Sequence, residues 1–110
     1  RNKLERFVEK VMSNYIISEK AIEDINKIWI YTAENWSIEQ ANRYYNLIFD
    51  EIEYIATNFI MARDFNDVRK SYRFSKVKSH IIFFKKNKLN EIEVIRVLHE
   101  RMDIENRLFE

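Results

Sequence analysis

Residues 18–48 read SEKAIEDINKIWIYTAENWSIEQANRYYNLI, and this stretch holds two helices and the break between them. Ser18 is an N-cap candidate, because its short side chain can accept a bond from a free amide of the first helical turn. Beyond it Ile22, Ile25, Ile28, Trp29, Thr32 and Trp36 recur at three- and four-residue steps, the spacing that gathers side chains on one helix face. Glu19, Glu23, Asp24, Lys27 and Glu34 fall largely off that stripe. Asn35-Trp36-Ser37 interrupts the pattern, and Ser37 with Gln40 three residues later forms a capping box that starts a second helix. Its stripe is Ala41, Tyr44, Tyr45, Ile48, Ile52, Ile55 and Phe59. Two helices joined by so short a break run antiparallel as a hairpin.

Working outward, NYII at 14–17 is a short β-prone run upstream of the hairpin. Downstream, MARDFNDV at 61–68 has no clean period and reads as a loop. The period then changes to two. Residues 71–77 alternate around Tyr72 and Phe74, SHIIFF at 79–84 is a buried-strand run, and EIEVIRVL at 91–98 alternates Ile92 and Val94 against Glu93. KKNKLN at 85–90 is a polar turn, and MDIENRLF at 102–109 suits one helical turn. The fold class is therefore α+β. An N-terminal strand and an antiparallel helical hairpin pack on one face of a small antiparallel sheet, in the order β-α-α-β-β-β. Ile25, Ile28, Ile48, Ile52, Ile55, Ile82 and Phe84 are expected to be buried between the layers. Residues 1–11, with a weak helical stripe of Leu4, Phe7, Val8 and Val11, read as a segment added to the core domain, 12–110. That segment is a native extension, a fused piece or a remnant of expression.

The 110 residues suit one domain, and 46% hydrophobic and 15% aromatic residues are ample for a packed core. No run of eighteen apolar residues exists to span a membrane, and no secretory pattern precedes the domain. Cysteine is absent, which removes disulfides, thiolate metal sites and a cysteine nucleophile, and suits the cytoplasm. Glycine and proline are also absent. At usual frequencies about eight glycines and five prolines would be expected. An AT-rich genome and a reduced-alphabet redesign both account for this. In either case Asn and Asp are expected at left-handed turn positions. Net charge is +1, but residues 63–90 carry nine basic groups against Asp64 and Asp67, net +7. This segment is either a solvated strand face guarded by edge lysines or a surface seeking an acidic partner.

The hairpin and the ending together resemble the ParE branch of the RelE/ParE toxin superfamily. The pattern LSxxAxxDLxxIwxYtxxxWgxxqAxxYxxxL is met by Ile17, Ser18, Ala21, Asp24, Ile25, Ile28, Tyr31, Trp36, Gln40, Ala41, Tyr44 and Tyr45. SHIIFF resembles the family's HxIFY strand. IRVLHERMD resembles its IxRILHxRMD ending through Ile95 or Val94, Arg96, Val97, Leu98, His99, Arg101, Met102 and Asp103. Departures fall where the family uses glycine or proline: Phe59 after Asn58, Ala62 before Arg63, Lys70-Ser71 before the strand, and Lys78 before the histidine strand. The resemblance implies a cytoplasmic toxin of a type II toxin–antitoxin pair that binds DNA gyrase and is neutralised by a cognate antitoxin. The alternatives are a ribosome-dependent mRNA endonuclease of the same superfamily, or an inactive or redesigned relative.

On this reading the chain acts by binding and not as an enzyme, with no cofactor, metal or membrane, and without sequence-specific nucleic-acid binding. Arg63, Arg73, Arg96, His99 and Arg101 are the candidates for contact with the target, because they match or flank signature positions and guanidinium groups bind carboxylates strongly. Arg69, Lys70, Arg73 and Lys76 are the candidates for the antitoxin, whose acidic groups would meet the basic segment while apolar anchors cover a sheet face the helices leave open. RNA cleavage would need a base, an acid and a cation at the phosphate. His80 and His99 on neighbouring strands, with Arg73, Arg96 and Arg101, are the residues that would supply them. The near-neutral net charge and the lack of a tyrosine after Tyr72 weigh against it. Trp29 and Trp36 are expected in core and hairpin packing, and His99 as a structural histidine bonded to backbone.

Overall fold

The computed structural model describes residues 15–58, 72–89 and 91–108, and 63–64 by their backbone. The elements are β1 (Tyr15–Ile17), α1 (Glu19–Asn35), α2 (Ile38–Thr57), β2 (Arg63–Asp64), β3 (Arg73–Val77), β4 (His80–Lys86), β5 (Ile92–His99) and α3 (Ile104–Leu108). The sheet order is β1-β5-β4-β3-β2. Strands β2 to β5 pair antiparallel, whereas β1 lies parallel to β5 with Tyr15 opposite Ile92, so the sheet as a whole is mixed. β2 falls inside the stretch read as a loop: Arg63 and Asp64 pair with Phe74 and Arg73, and two residues are too few to show a period.

Both helix starts are capped as their sequences suggest. Ser18 Oγ accepts from the Ala21 amide at 3.0 Å and donates to the Ile95 carbonyl at 2.7 Å, so the cap also fastens α1 to β5. Ser37 Oγ accepts from the Gln40 amide at 3.0 Å. The Gln40 side chain, which a reciprocal capping box would turn back to Ser37, accepts instead from Arg43 at 2.8 Å.

The main core lies between the helical hairpin and the sheet. Ile25, Ile48, Ile52, Ile55, Ile82 and Phe84 are buried, and Ile28 packs against them half-buried. The α2 stripe is as read from the spacing, with Phe49 added and with Phe59 outside the described residues. The α1 stripe is displaced. Ala21, Asp24 and Ile25 are its buried positions, while Ile22 and Trp36 are exposed. Asp24 enters the core because Arg96 meets it there, which α1 alone does not reveal. Trp29 does pack the hairpin, donating through Nε1 to Asn42 at 3.0 Å.

β5 carries one extra residue. Phe83 lies opposite Arg96 and Phe84 opposite Val94, so Ile95 bulges and the alternation resets. This reset explains why β5 is apolar on both faces. Val94 and Val97 join the main core, and Leu98 joins a second cluster with Tyr72, Phe83 and Leu108 on the reverse face. α3 therefore covers part of the face expected to be open. Phe74, Ile81, Ile95 and Ile104 remain partly accessible there.

Turns are built without glycine. Asn87 Oδ1 accepts from the amides of Leu89 and Glu91, both at 2.9 Å, closing the β4–β5 turn. The left-handed residue is not Asn or Asp, as expected, but Lys78 with φ 53°, the one positive φ among the described residues. It occupies the first central position of the two-residue β3–β4 hairpin, where glycine would be unstrained.

Candidate functional site

The signature residues converge at one end of the sheet, where the β3–β4 turn, the start of β4 and the end of β5 meet the hairpin. His80 and His99 are direct cross-strand partners on the helix side. Their rings meet edge to face at 86° with centroids 5.1 Å apart. Tyr44 of α2 reaches down to them, its hydroxyl 2.6 Å from His80 Nδ1 and 3.0 Å from the Val77 carbonyl. The hydroxyl has one proton to give. With that proton on Val77 O, His80 Nδ1–H donates to the tyrosine oxygen and the lone pair of the neutral ring sits on Nε2. Burial, and then the neighbouring His99, push the His80 pKa down to about 4, so the ring is neutral at physiological pH. Burial also raises the Tyr44 phenol above its ordinary value, so it stays protonated. His99 Nδ1 accepts from the Arg101 amide at 3.1 Å, the backbone bond expected of it, which places the proton of its neutral ring on Nε2.

These rings floor a cleft of about 560 Å³. Ile28, Tyr31 and Thr32 of α1 and Trp36 at its C-cap line it together with Met102 and the exposed Lys27 and Lys78. Trp36, expected in the core, is 67% exposed; its backbone N–H closes α1 on Thr32 O while its ring leans on Tyr31. Deeper in the lining, Asp24 accepts from Arg96 Nε at 2.8 Å, from Arg96 Nη2 at 2.9 Å and from the Val97 amide at 3.0 Å. Arg96 Nη1 donates to the Arg107 carbonyl at 2.6 Å, so one buried guanidinium joins α1, β5 and α3. Among the described residues no group of three His, Cys, Asp or Glu is placed to hold a metal ion.

The candidate target-binding residues do not form one patch. His99 lines the cleft and Arg101 is exposed beside it. Arg96 is buried and engaged within the fold. Arg73 is half-buried on β3, far along the strand from the histidines, and Arg63 lies in β2. Of the antitoxin candidates, Arg69 and Lys70 lie outside the described residues. Arg73 and Lys76 are three apart on one strand and so project to opposite faces. Lys76 pairs with Glu100 at 2.5 Å and holds its carboxyl below the usual range. The sequence reading missed Tyr44, Lys27, Lys78 and the exposed Tyr31–Trp36 pair as parts of a site. Tyr31, Trp36 and Tyr44 carry the family pattern, and that was their signal.

The family profile described as the ParE toxin of type II toxin–antitoxin system, parDE, matches residues 15–104. This chain belongs to the ParE toxin family. Toxin ParE1 of Mycobacterium tuberculosis (strain CDC 1551 / Oshkosh) is 32% identical over 87% of this chain and 98% of its own length. Toxin ParE1 of Caulobacter vibrioides is 34% identical over 84% and 94%. Toxin ParE of Escherichia coli is 28% identical over 88% and 94%. A solved structure titled as a chromosomal ParDE TA system from P. aeruginosa has the same fold, with a TM-score of 0.70 over 78% of this chain and 94% of that one, at 14% identity. The ParE strand and ending motifs thus meet in space: the histidine of each lies beside the other, and the tyrosine of the hairpin motif bonds to one of them.

Proposed function

We propose that this toxin inhibits DNA gyrase by protein–protein binding and that a cognate antitoxin masks it. The observation that carries this reading is the family match across residues 15–104, since gyrase and an antitoxin are the partners that the ParE resemblance implies. The arrangement of the site supports binding over catalysis. Of the three arginines considered for an RNA-cleaving site, Arg96 is consumed by Asp24, Arg73 stands at the far end of β3, and Arg101 does not line the cleft. His80 is held neutral and anchored by Tyr44. The contact surface is accordingly assigned to the exposed groups around the cleft mouth: Tyr31, Trp36, Arg101 and Met102. No helix among the described residues is long and apolar enough to cross a membrane.

The test is DNA supercoiling by purified gyrase with and without the protein, beside cleavage of ribosome-bound message. Inhibition of supercoiling without cleavage is expected. Arg101→Ala and Trp36→Ala should weaken gyrase binding in a graded way, with only a few such truncations exceeding about 2 kcal/mol. Cleavage that vanishes in His99→Ala while binding persists would replace this reading with the ribonuclease one, which the His80–His99 contact favours. For the antitoxin, charge reversal at Arg73 should slow association and flatten its salt dependence.

A further inference from the structure

The cleft has properties that a purely protein-binding surface does not need. At about 560 Å³ it falls in the range of roughly 300–1,000 Å³ typical of small-molecule sites. Its walls are aromatic and aliphatic, and Tyr31 and Trp36 lean at 58° with their rings largely in solvent. Such faces stack on a planar ring irrespective of its substituents. Lys27 and Lys78, exposed members of the lining, have no ion-pair or hydrogen-bond partner among the described residues, although the chain has nearly as many acidic as basic groups. The one carboxylate in the lining, Asp24, is already matched by Arg96 and does not compensate them. On the floor, the bonds of both histidines are made through Nδ1. That leaves an acceptor on His80 Nε2 beside a donor on His99 Nε2, with no intramolecular partner among the described residues.

We infer that this cleft binds a free nucleoside monophosphate, with the base stacked on the Trp36 face and its edge against Tyr31, the phosphate between Lys27 and Lys78, and base-edge or ribose groups bonded to the two Nε2 atoms. Two unpaired ammonium groups suit a dianion better than a single carboxylate. The adjacent acceptor and donor suit a polar ring edge or a hydroxyl, which an apolar peptide anchor lacks. The inference goes beyond the gyrase reading and does not rest on it.

The experiment is isothermal titration of the full chain with AMP near neutral pH at low salt, with adenosine, inorganic phosphate, hexaadenylate and N-acetyl-Trp-Asp-amide as parallel ligands. NMR of the histidine rings reports the location. AMP should bind saturably at one site and shift the ring nitrogens of His80 and His99. Lys27→Gln combined with Lys78→Asn, in which asparagine still tolerates the positive φ, should weaken AMP on the order of tenfold and leave adenosine unchanged. Trp36→Ala should weaken both AMP and adenosine. It removes an exposed ring and keeps the backbone cap, so circular dichroism should be unaltered. No saturable AMP binding would overturn the inference, as would phosphate binding as tightly as AMP, or ring shifts absent from both histidines. Hexaadenylate binding more than about tenfold tighter than AMP would overturn it in favour of a strand, and tighter binding of the dipeptide in favour of a protein segment.

Discussion

Asp24 and Arg96 stand 72 positions apart and are joined by two hydrogen bonds inside the fold. Removing charged groups from water is costly, and the pair is viable because every strong contact is supplied: two from the guanidinium, one from the Val97 amide, and the Arg107 carbonyl for the remaining nitrogen. Asp24→Ala would leave the arginine buried and uncompensated, so urea unfolding should show a loss of about 3–5 kcal/mol. Asp24→Leu with Arg96→Met should lose clearly less than Asp24→Ala, because no unpaired charge remains. Arg96→Ala is therefore expected to reduce toxicity by unfolding the protein, with a fall in denaturation midpoint as the sign. His80 behaves in the opposite manner. Its folded pKa of about 4 lies below the ordinary histidine value, so between roughly pH 6.5 and 4 the unfolded chain takes up a proton that the native ring refuses. Stability should fall with pH across that window. The approach of His99 opposes protonation there, while Glu100 and Asp24 favour it. His80→Asn, whose amide can replace the Nδ1 donor to Tyr44, should flatten the melting temperature over the same window. An unchanged pH profile would remove His80 as its source.

Among the elements, helix ends and turns were the most legible features. Ser18 and Ser37 announce their helices because a cap is a local interaction that needs only a side-chain oxygen at a given offset. Ser18 does more than its neighbours in sequence suggest, since its hydroxyl also reaches Ile95. Ser18→Ala should cost about 1–2 kcal/mol, and Ser37→Ala, with a cap alone, about 0.5–1 kcal/mol. Thermal melts of the two variants compare them directly. Lys78 is the converse case. Nothing about a lysine marks a left-handed position, but the two-residue connection between β3 and β4 demands one there. Lys78→Gly should raise stability by up to about 1 kcal/mol through relief of Cβ crowding, while Ser79→Gly, where φ is not positive, should lower it. Equal effects at the two positions would contradict the strain assigned to Lys78.

The whole molecule is two unequal cores on either side of one sheet. The larger sits under the helical hairpin with Ile52 fully buried, and Ile52→Ala should cost about 2–5 kcal/mol because surrounding side chains cannot collapse into the space. The smaller is closed by α3, through Leu108 and through the Arg107 carbonyl on Arg96. Ending the chain after Asp103 should uncover Phe83 and Leu98 and loosen the ion pair at once. Increased dye binding to apolar surface and a lowered denaturation midpoint are the expected readouts, and retention of both parent values would show that α3 is dispensable.

What the sequence determined by itself was the part written in short-range pattern. Helical periodicity over 18–59 specifies two amphipathic helices, alternation over 71–98 specifies strands, and the motif residues specify the ParE family. The α2 stripe was readable because its interior positions are apolar and a helix repeats them at fixed steps. The tertiary structure decided whatever depends on residues distant in the chain. It placed Asp24 inside, because Arg96 comes to it from β5. It turned Trp36 outward, since the α1 stripe rotates to bury Asp24 and Ile25. It inserted Ile95 as a bulge that lets Val94 and Val97, three positions apart, face the same core. It brought His80, His99 and Tyr44 into one cluster and separated the arginines that sequence proximity to the motifs had grouped together. The physical reason is common to all of these: charge compensation, strand register and cross-strand contact are set by partners across space, and period and propensity carry no record of which partner that will be.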